Sequence, residues 1–188
     1  CLSFAHQNIS IDSKPKTIQP MLITGGKAWH FANKDFNRWK SSLCEQLMKH
    51  KYIEDVFISF GEIDCRKDEG ILLYSMNYGK DIYDSCATTI DGYLNYMESK
   101  LSTLFEKRYY FGIPAPIIEE ELIDKLDLMR ISLIKIYNSL LKKEVLSRGA
   151  NFLDVYELTS NVDGKNNNLH MCDETHLSPK CLANLFEN

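Results

Sequence analysis

Apolar residues recur along the chain in two patterns, short runs typical of buried strands and longer stretches with the period of an amphipathic helix. The short runs predict strands at residues 17–24, 55–60, 109–113 and 151–155. The helical stretches are residues 35–51, 81–107 and 119–147. Strands that alternate with helices in this way form parallel sheets with helices on both faces. The pattern therefore predicts an α/β fold, a three-layer α/β/α sandwich with a central parallel sheet.

The domain organisation follows from the length and from the two ends of the chain. A length of 188 residues is that of one domain, and no internal repeat or Gly/Ser/Pro-rich linker divides it. We therefore expect residues 1–188 to form a single domain. Residues 2–6 have the pattern of a helix already under way, and the last residues that of a helix not yet finished. On this pattern we expect the domain to be truncated at both ends.

Charge, hydropathy and cysteine content exclude several classes of partner and cofactor. The net charge is −4 and no block of basic residues occurs, so we expect no nucleic-acid partner. The apolar runs are too short to span a membrane. None of the six cysteines forms a C-x-x-C motif, which favours reduced thiols and a cytoplasmic location. No group of residues has metal-ligand spacing, so we expect neither a metal nor another cofactor. The oligomeric state has no signature in the sequence.

The strongest chemical signal lies near the carboxyl end, where Asp173 precedes His176 by three residues. At this spacing the carboxylate can accept a hydrogen bond from one imidazole nitrogen while the other nitrogen faces a nucleophile. That is the acid–base arrangement of a serine hydrolase. The alternative is an aspartate that caps a turn beside a surface histidine.

A second group of polar residues follows the strand predicted at residues 55–60. Gly61 ends that strand, and Glu62, Asp64 and Arg66 come directly after it. In an extended chain Glu62 and Asp64 point the same way, and Arg66 could neutralise both. The group is either a polar wall of an active site or an ion-pair cluster that braces the loop.

A third signal is Gly25-Gly26, at the end of the strand predicted for residues 17–24. Small residues at a strand end expose backbone N–H groups, which can bind an anion or a developing oxyanion. A tight turn without any ligand explains the two glycines equally well.

Taken together, these three blocks resemble the SGNH (GDSL-type) hydrolase superfamily. The most specific stretches are F-G-E-I-D-C-R at residues 60–66 and D-E-T-H-L-S-P at residues 173–179. The resemblance implies a flavodoxin-like sandwich and a serine ester hydrolase or acyl-transferring enzyme, acting on a small-molecule or carbohydrate ester. Asp173 and His176 would be catalytic. The oxyanion site and site wall would comprise Gly25, Gly26, Gly61, Glu62, Asp64 and Arg66.

The chain departs from the family pattern at two positions. The nucleophilic serine of the family's G-D-S-H block would lie two residues before Cys1, and Ser3 is the only nearby substitute within the chain. Ile63 stands where the family has an asparagine, and its side chain cannot donate a hydrogen bond. These departures keep open a second interpretation, a non-catalytic SGNH-like binding or interaction module within a larger protein. A flavodoxin-like nucleotide binder is less favoured, since no glycine-rich phosphate loop is present.

Overall fold

Strands and helices alternate along most of the chain. The computed structural model describes residues 2–50, 52–119 and 123–186. Its strands are β1 (Asn8–Ile11), β2 (Lys14–Thr17), β3 (Asp55–Ile58), β4 (Lys107–Phe111) and β5 (Asn151–Leu153). Its helices are α1 (Ala28–Ala32), α2 (Arg38–Lys49), α3 (Ile71–Tyr78), α4 (Ile82–Leu101), α5 (Lys125–Ser147), α6 (Val155–Thr159) and α7 (Cys181–Asn184). Short 3₁₀ turns occupy Leu2–Phe4 and Ile63–Cys65.

The central sheet consists of β3, β4 and β5 in that order, and all its pairings are parallel. Val56 lies opposite Arg108, and Tyr110 lies opposite Phe152. Long helices connect these strands, as parallel pairing requires. The predicted α/β fold with a central parallel sheet is therefore confirmed. A separate antiparallel hairpin of β1 and β2, which the sequence pattern did not predict, precedes it.

The two-residue period of the strands distributes their side chains between two apolar cores. Val56, Ile58 and Tyr110 belong to the core that contains the buried residues of α4 and α5. Phe57 and Phe111 belong to the other core, together with residues of the amino-terminal hairpin and of α7. The sheet is thus covered on both faces.

The two long helices are shorter than predicted: α4 ends at Leu101 and not at residue 107, and α5 begins at Lys125 and not at residue 119. The side chain of Asp81 accepts a hydrogen bond from the Asp84 amide and so caps the start of α4. α4 ends at Leu101, which leaves Leu104 54% exposed although its spacing places it on the apolar face. Asp124 caps α5 in the same way. The predicted start of that helix at residue 119 is followed by residues 120–122, which lie outside the described residues.

The strand predicted at residues 17–24 is wrong. Only Thr17 belongs to a strand, the hairpin strand β2, and residues 18–23 form no ladder. They line the same groove as β3. Ile18 exchanges backbone hydrogen bonds with His6 and Gln7 beside the hairpin. A strand is defined by hydrogen bonds to a neighbouring strand, and residues 19–23 have no such bonds to a described strand. Apolar composition alone therefore produced no strand.

Within the described residues, no helix combines the length and apolar composition needed to cross a membrane. Five cysteines in this part of the chain are free thiols, namely Cys44, Cys65, Cys86, Cys172 and Cys181. Cys1 lies outside the described residues.

Candidate active site

A cleft of about 210 Å³ opens beyond the carboxyl end of β3, where ligands bind in parallel sheets. It brings together residues from all three blocks singled out in the sequence. The lining residues are Gly26, Ser59, Phe60, Gly61, Glu62, Ile63, Arg66, Thr175 and His176. Three of the predicted site residues, Gly25, Asp64 and Asp173, do not line the cleft.

The Asp173–His176 pair sits on a tight loop beside this cleft. An antiparallel bridge between Met171 and Leu177 closes the base of the loop, and Leu177 is buried in the core. The loop is not the first turn of a helix, because α7 begins only at Cys181. Within the loop, His176 Nδ1 lies 2.7 Å from Asp173 Oδ2. The side chains of both residues are more than half exposed.

Asp173 is held in its ionised form by donors of its own loop. The backbone N–H of Thr175 donates to Asp173 Oδ1 at 2.8 Å, and the N–H of His176 donates to the same oxygen at 2.7 Å. The Thr175 hydrogen bond, followed by those from the imidazole and the His176 amide, holds the pKa of Asp173 well below its usual range. An ionised carboxylate can only accept hydrogen bonds, so Nδ1 of His176 carries the proton that it donates to Asp173. Nε2 of His176 is then the nitrogen with a free lone pair. The pair can therefore act as a base toward a group in the cleft.

Asp64 does not share the cleft with Glu62, contrary to the expectation for an extended chain. The 3₁₀ turn Ile63–Cys65 rotates the Asp64 side chain into the interior, where it is 1% exposed. Its Oδ2 accepts from the Ala28 amide at 2.7 Å and its Oδ1 accepts from the Trp29 amide at 3.1 Å. Burial raises the pKa of Asp64 to about 6, against the opposing effect of these two hydrogen bonds. Asp64 thus braces the start of α1.

The four backbone amides that follow Gly25 have acceptors within the protein. The Gly26 N–H donates to the Ile23 carbonyl at 3.3 Å, and the Lys27 N–H donates to His30 Nδ1 at 3.0 Å. The next two amides bind Asp64, so the anion at this helix start is a side chain of the protein itself. A residue with a side chain does not fit at position 26, because its Cβ would lie 2.7 Å from the Phe60 ring.

The Arg66 side chain forms hydrogen bonds with two glutamates and none with Asp64. Its Nη2 donates to Glu62 Oε2 at 2.8 Å and its Nη1 donates to Glu69 Oε1 at 3.2 Å. Lys27 Nζ lies 2.6 Å from the other Glu69 oxygen, Oε2. The charged residues therefore tie the loop after β3 to the loop before α1. Arg66 still lines the cleft, and its side chain is 36% exposed.

Sequence reasoning missed two hydroxyl-bearing residues of the cleft, Ser59 and Thr175. Ser59 immediately follows β3 and is exposed, a position that the strand pattern could have indicated. Thr175 Oγ1 lies 3.2 Å from His176 Nδ1, on the side that also faces Asp173. Ser3, the substitute nucleophile considered from the sequence, does not line the cleft. The described residues contain no group of three His, Cys, Asp or Glu side chains able to hold a metal ion.

Burial of Asp64 predicts that its contribution to stability is lost as the pH rises. Its pKa is about 6 in the folded protein and 3.8 ordinarily, so between these values the folded state binds more protons than the unfolded state. The contribution is complete below pH 4 and is lost as the pH rises through 6, by about 3 kcal/mol. Asp64→Asn should remove this dependence, which urea unfolding between pH 4 and pH 7 measures. The exposed Asp68→Asn is the control, and the same pH profile in wild type and Asp64→Asn would contradict the prediction.

The fold is shared with one of two similar solved structures. No family model and no curated protein sequence matches the chain. One similar structure is LAE5, an alpha/beta hydrolase enzyme from the metagenome of Lake Arreo, Spain, with 14% identity and a TM-score of 0.51, covering 86% of this chain and 66% of that chain. Another is phospholipase A1 from Streptomyces albidoflavus NA297, with 11% identity and a TM-score of 0.36, covering 76% and 72%. The likeness to LAE5 shows that this chain has a hydrolase-like α/β fold.

Proposed function

We propose that this chain is the acid–base part of an SGNH-type serine hydrolase that cleaves ester bonds. The observation that carries the proposal is the contact between Asp173 and His176, 2.7 Å long, at the wall of a cleft beyond the carboxyl end of β3. An ionised carboxylate fixes the imidazole tautomer, and the free nitrogen is then a base. The similarity in fold to LAE5, which is described as a hydrolase, supports the reaction class.

In this proposal the nucleophile is a serine that precedes Cys1. Its hydroxyl attacks the acyl carbon of the ester and its proton passes to Nε2 of His176. The ester C–O bond then breaks, and the departing alkoxide takes the proton from His176. Water then gives a proton to His176 and attacks the acyl carbon of the acyl-enzyme. The bond between that carbon and the serine oxygen breaks, the acid departs, and His176 returns its proton to the serine oxygen. Asp173 holds Nδ1 and stabilises the imidazolium in both halves of the reaction.

The stabilisation of the oxyanion is the weakest part of the site. Ile63 lines the cleft without a donor, and the Gly26 amide is already hydrogen-bonded to Ile23. Arg66 bonds two glutamates, which favours a bracing role over that of a replacement donor. Loss of one oxyanion donor costs about 2.7–4 kcal/mol, or about 10²–10³ in kcat. We therefore expect slow turnover relative to a hydrolase that has the asparagine.

The size of the cleft favours a small acyl group. Ordinary ligand pockets occupy about 300–1,000 Å³, and this cleft occupies about 210 Å³. An acetyl-sized group fits such a volume better than a long acyl chain. Trp29, 52% exposed on α1, offers an aromatic face on which a sugar ring could stack. Acetylated carbohydrate is accordingly our candidate substrate class.

Ile63 also favours the second candidate, a non-catalytic SGNH-like module that binds the same ligands without cleaving them. It places an apolar side chain on the cleft wall where the family pattern has a donor. In this case the Asp173–His176 pair would serve only to shape the loop.

Covalent labelling with a fluorophosphonate separates the two candidates. The polypeptide, together with the residues encoded ahead of Cys1, should form one adduct on a serine, because His176 activates that hydroxyl. Peptide mass spectrometry locates the adduct. His176→Ala should lose the labelling, and His170→Ala, in the same loop, should keep it. Absence of any adduct in the folded wild-type protein would contradict the enzyme and support the binding module.

A further inference from the structure

Both tryptophans of the chain are attached to the segment that brings Gly26 to the cleft. Trp29 follows Gly26 by three residues, in the first turn of α1. Trp39 lies on α2, and its Nε1–H donates to the Thr24 carbonyl at 3.3 Å. Trp29 is 52% exposed, so a large part of its apolar ring faces water. An exposed aromatic face of this size beside a cleft is available to stack on a ligand.

A stack of planar side chains extends from Trp29 to an arginine. The rings of Trp29 and His30 meet edge to face, with centroids 5.6 Å apart. His30 stacks on Trp39 in nearly parallel planes, with centroids 3.3 Å apart. The guanidinium carbon of Arg38 lies 4.3 Å from the centroid of the Trp39 ring. Because His30 already occupies one face of Trp39, Arg38 must cover the other face.

Hydrogen bonds to the backbone of α1 hold this stack in place. The Trp29 amide donates to Asp64 Oδ1 at 3.1 Å, which fixes the start of α1 against the loop after β3. Asn37, which caps α2, donates from its side-chain amide to the His30 carbonyl at 2.7 Å. The two helices that present the stack are thus joined to each other and to the cleft. A surface that is ordered in advance loses little conformational freedom when it binds a ligand.

Arg38 differs from the other arginines in having no acidic partner within the described residues. The others each pair with an aspartate or a glutamate, and they are Arg66, Arg108, Arg130 and Arg148. Arg38 is exposed and its guanidinium lies over the Trp39 ring. A guanidinium held flat on a ring keeps the N–H groups of its edge free, and their fork matches the two oxygens of a carboxylate or a phosphate. The exposed end of the stack is therefore suited to an anionic group.

We propose that Trp29 and Arg38 bind the carbohydrate part of the substrate, and that this part is a short oligosaccharide with an anionic group. Trp29 stacks on the sugar ring next to the cleft, and Arg38 donates two hydrogen bonds to a carboxylate or phosphate on a sugar further along. The distance from Trp29 to Arg38 cannot exceed the three spacings of the stack taken together, a span that a short oligosaccharide covers. This inference rests on the proposed function, which takes acetylated carbohydrate as the substrate class.

Calorimetric titration with saccharides that contain no ester tests the binding without any catalysis. Trigalacturonate should bind about 10-fold more tightly than maltotriose, a neutral ligand of the same length, because hydrogen bonds to a charged group are the stronger ones. Phosphorylated maltotriose in the same titration distinguishes a phosphate from a carboxylate. The net charge of the chain is −4, so general electrostatic attraction does not favour an anionic ligand.

Substitutions assign the preference to single side chains. Arg38→Ala should abolish the preference for the charged ligand, and Arg38→Lys should keep only part of it, because an ammonium group lacks the planar fork. Trp29→Ala should weaken the binding of charged and neutral ligands alike, by about 3–10-fold, because both lose the ring face. Lys34→Ala is the matched control for Arg38→Ala, since Lys34 is an exposed cation four positions before it and has no place in the stack. This variant should keep the full preference.

The outcomes separate this inference from the proposed function. Failure of both anionic ligands to bind more tightly than maltotriose would overturn the binding site, even if a serine were labelled by fluorophosphonate. A preference that Arg38→Ala leaves unchanged, or that Lys34→Ala removes equally, would also overturn it, because the anion would then bind elsewhere. A preference that only Arg38→Ala removes, in a protein that forms no fluorophosphonate adduct, would support the binding site and leave only the proposed enzyme contradicted.

Discussion

His176→Ala is expected to lower kcat/KM for p-nitrophenyl acetate by about 10³–10⁴-fold in the polypeptide that carries the nucleophile. The imidazole is the only described side chain in the cleft that is positioned as a base by an ionised carboxylate, through the 2.7 Å contact with Asp173. Without it the serine hydroxyl has no proton acceptor and the leaving alkoxide has no proton donor. Because the His176 side chain is 58% exposed, its removal should leave the urea midpoint nearly unchanged.

Two further variants assign the loss to the pair and exclude a general effect on the loop. Asp173→Asn should lower kcat by about 10²-fold or more, since an amide no longer stabilises the imidazolium. His170→Ala should retain wild-type turnover, because His170 does not line the cleft. Equal rates of p-nitrophenol release from wild type and His176→Ala would contradict the assignment of His176 as the base.

Gly61→Ala should lower the free energy of unfolding by about 2–6 kcal/mol. The backbone of Gly61 has φ = +113°, a conformation that an alanine adopts only with strain of about 1–3 kcal/mol. A Cβ at this position would also lie 2.7 Å from Tyr137 Oη and 3.0 Å from Ile113 Cδ1. Relief of that overlap requires the core to shift, at a cost of about 1–3 kcal/mol. Urea unfolding measures the sum.

Gly79→Ala is the matched control for backbone strain without overlap. Gly79 has φ = +61° at the end of α3 and would meet no atom within 4 Å, so its cost should be about 1–2 kcal/mol. Tyr137→Phe should recover part of the loss in the Gly61→Ala background, because it deletes the overlapping atom. Within the described residues that hydroxyl has no hydrogen-bond partner, so its deletion leaves no donor unpaired. Equal losses for Gly61→Ala and Gly79→Ala would contradict the packing argument.

Local patterns were enough to predict the elements that are held by their own caps and by burial on both faces. The strands near residues 55, 109 and 151 have continuous apolar runs because parallel strands are buried on both sides. The contact between Asp173 and His176 was also predictable, because it spans three residues and is closed by the loop itself. The role of that pair in catalysis remains a prediction for the labelling and kinetic experiments.

The sequence by itself determined the α/β class, three of the strands and the residues able to form an acid–base pair. Each of these depends on interactions within a few positions of the chain. Only the tertiary structure decided the rest. Residues 18–23 form no strand because pairing needs a distant partner. Asp64 turns inward because the amides of Ala28 and Trp29, 35 or more positions away, offer it hydrogen bonds that repay part of its burial. By contrast, the Gly26 amide bonds the Ile23 carbonyl, and Arg66 bonds Glu62 and Glu69, all within four positions along the chain. That Gly26 and Arg66 line one cleft with His176 was decided by the tertiary structure, because residues far apart in the chain form that cleft.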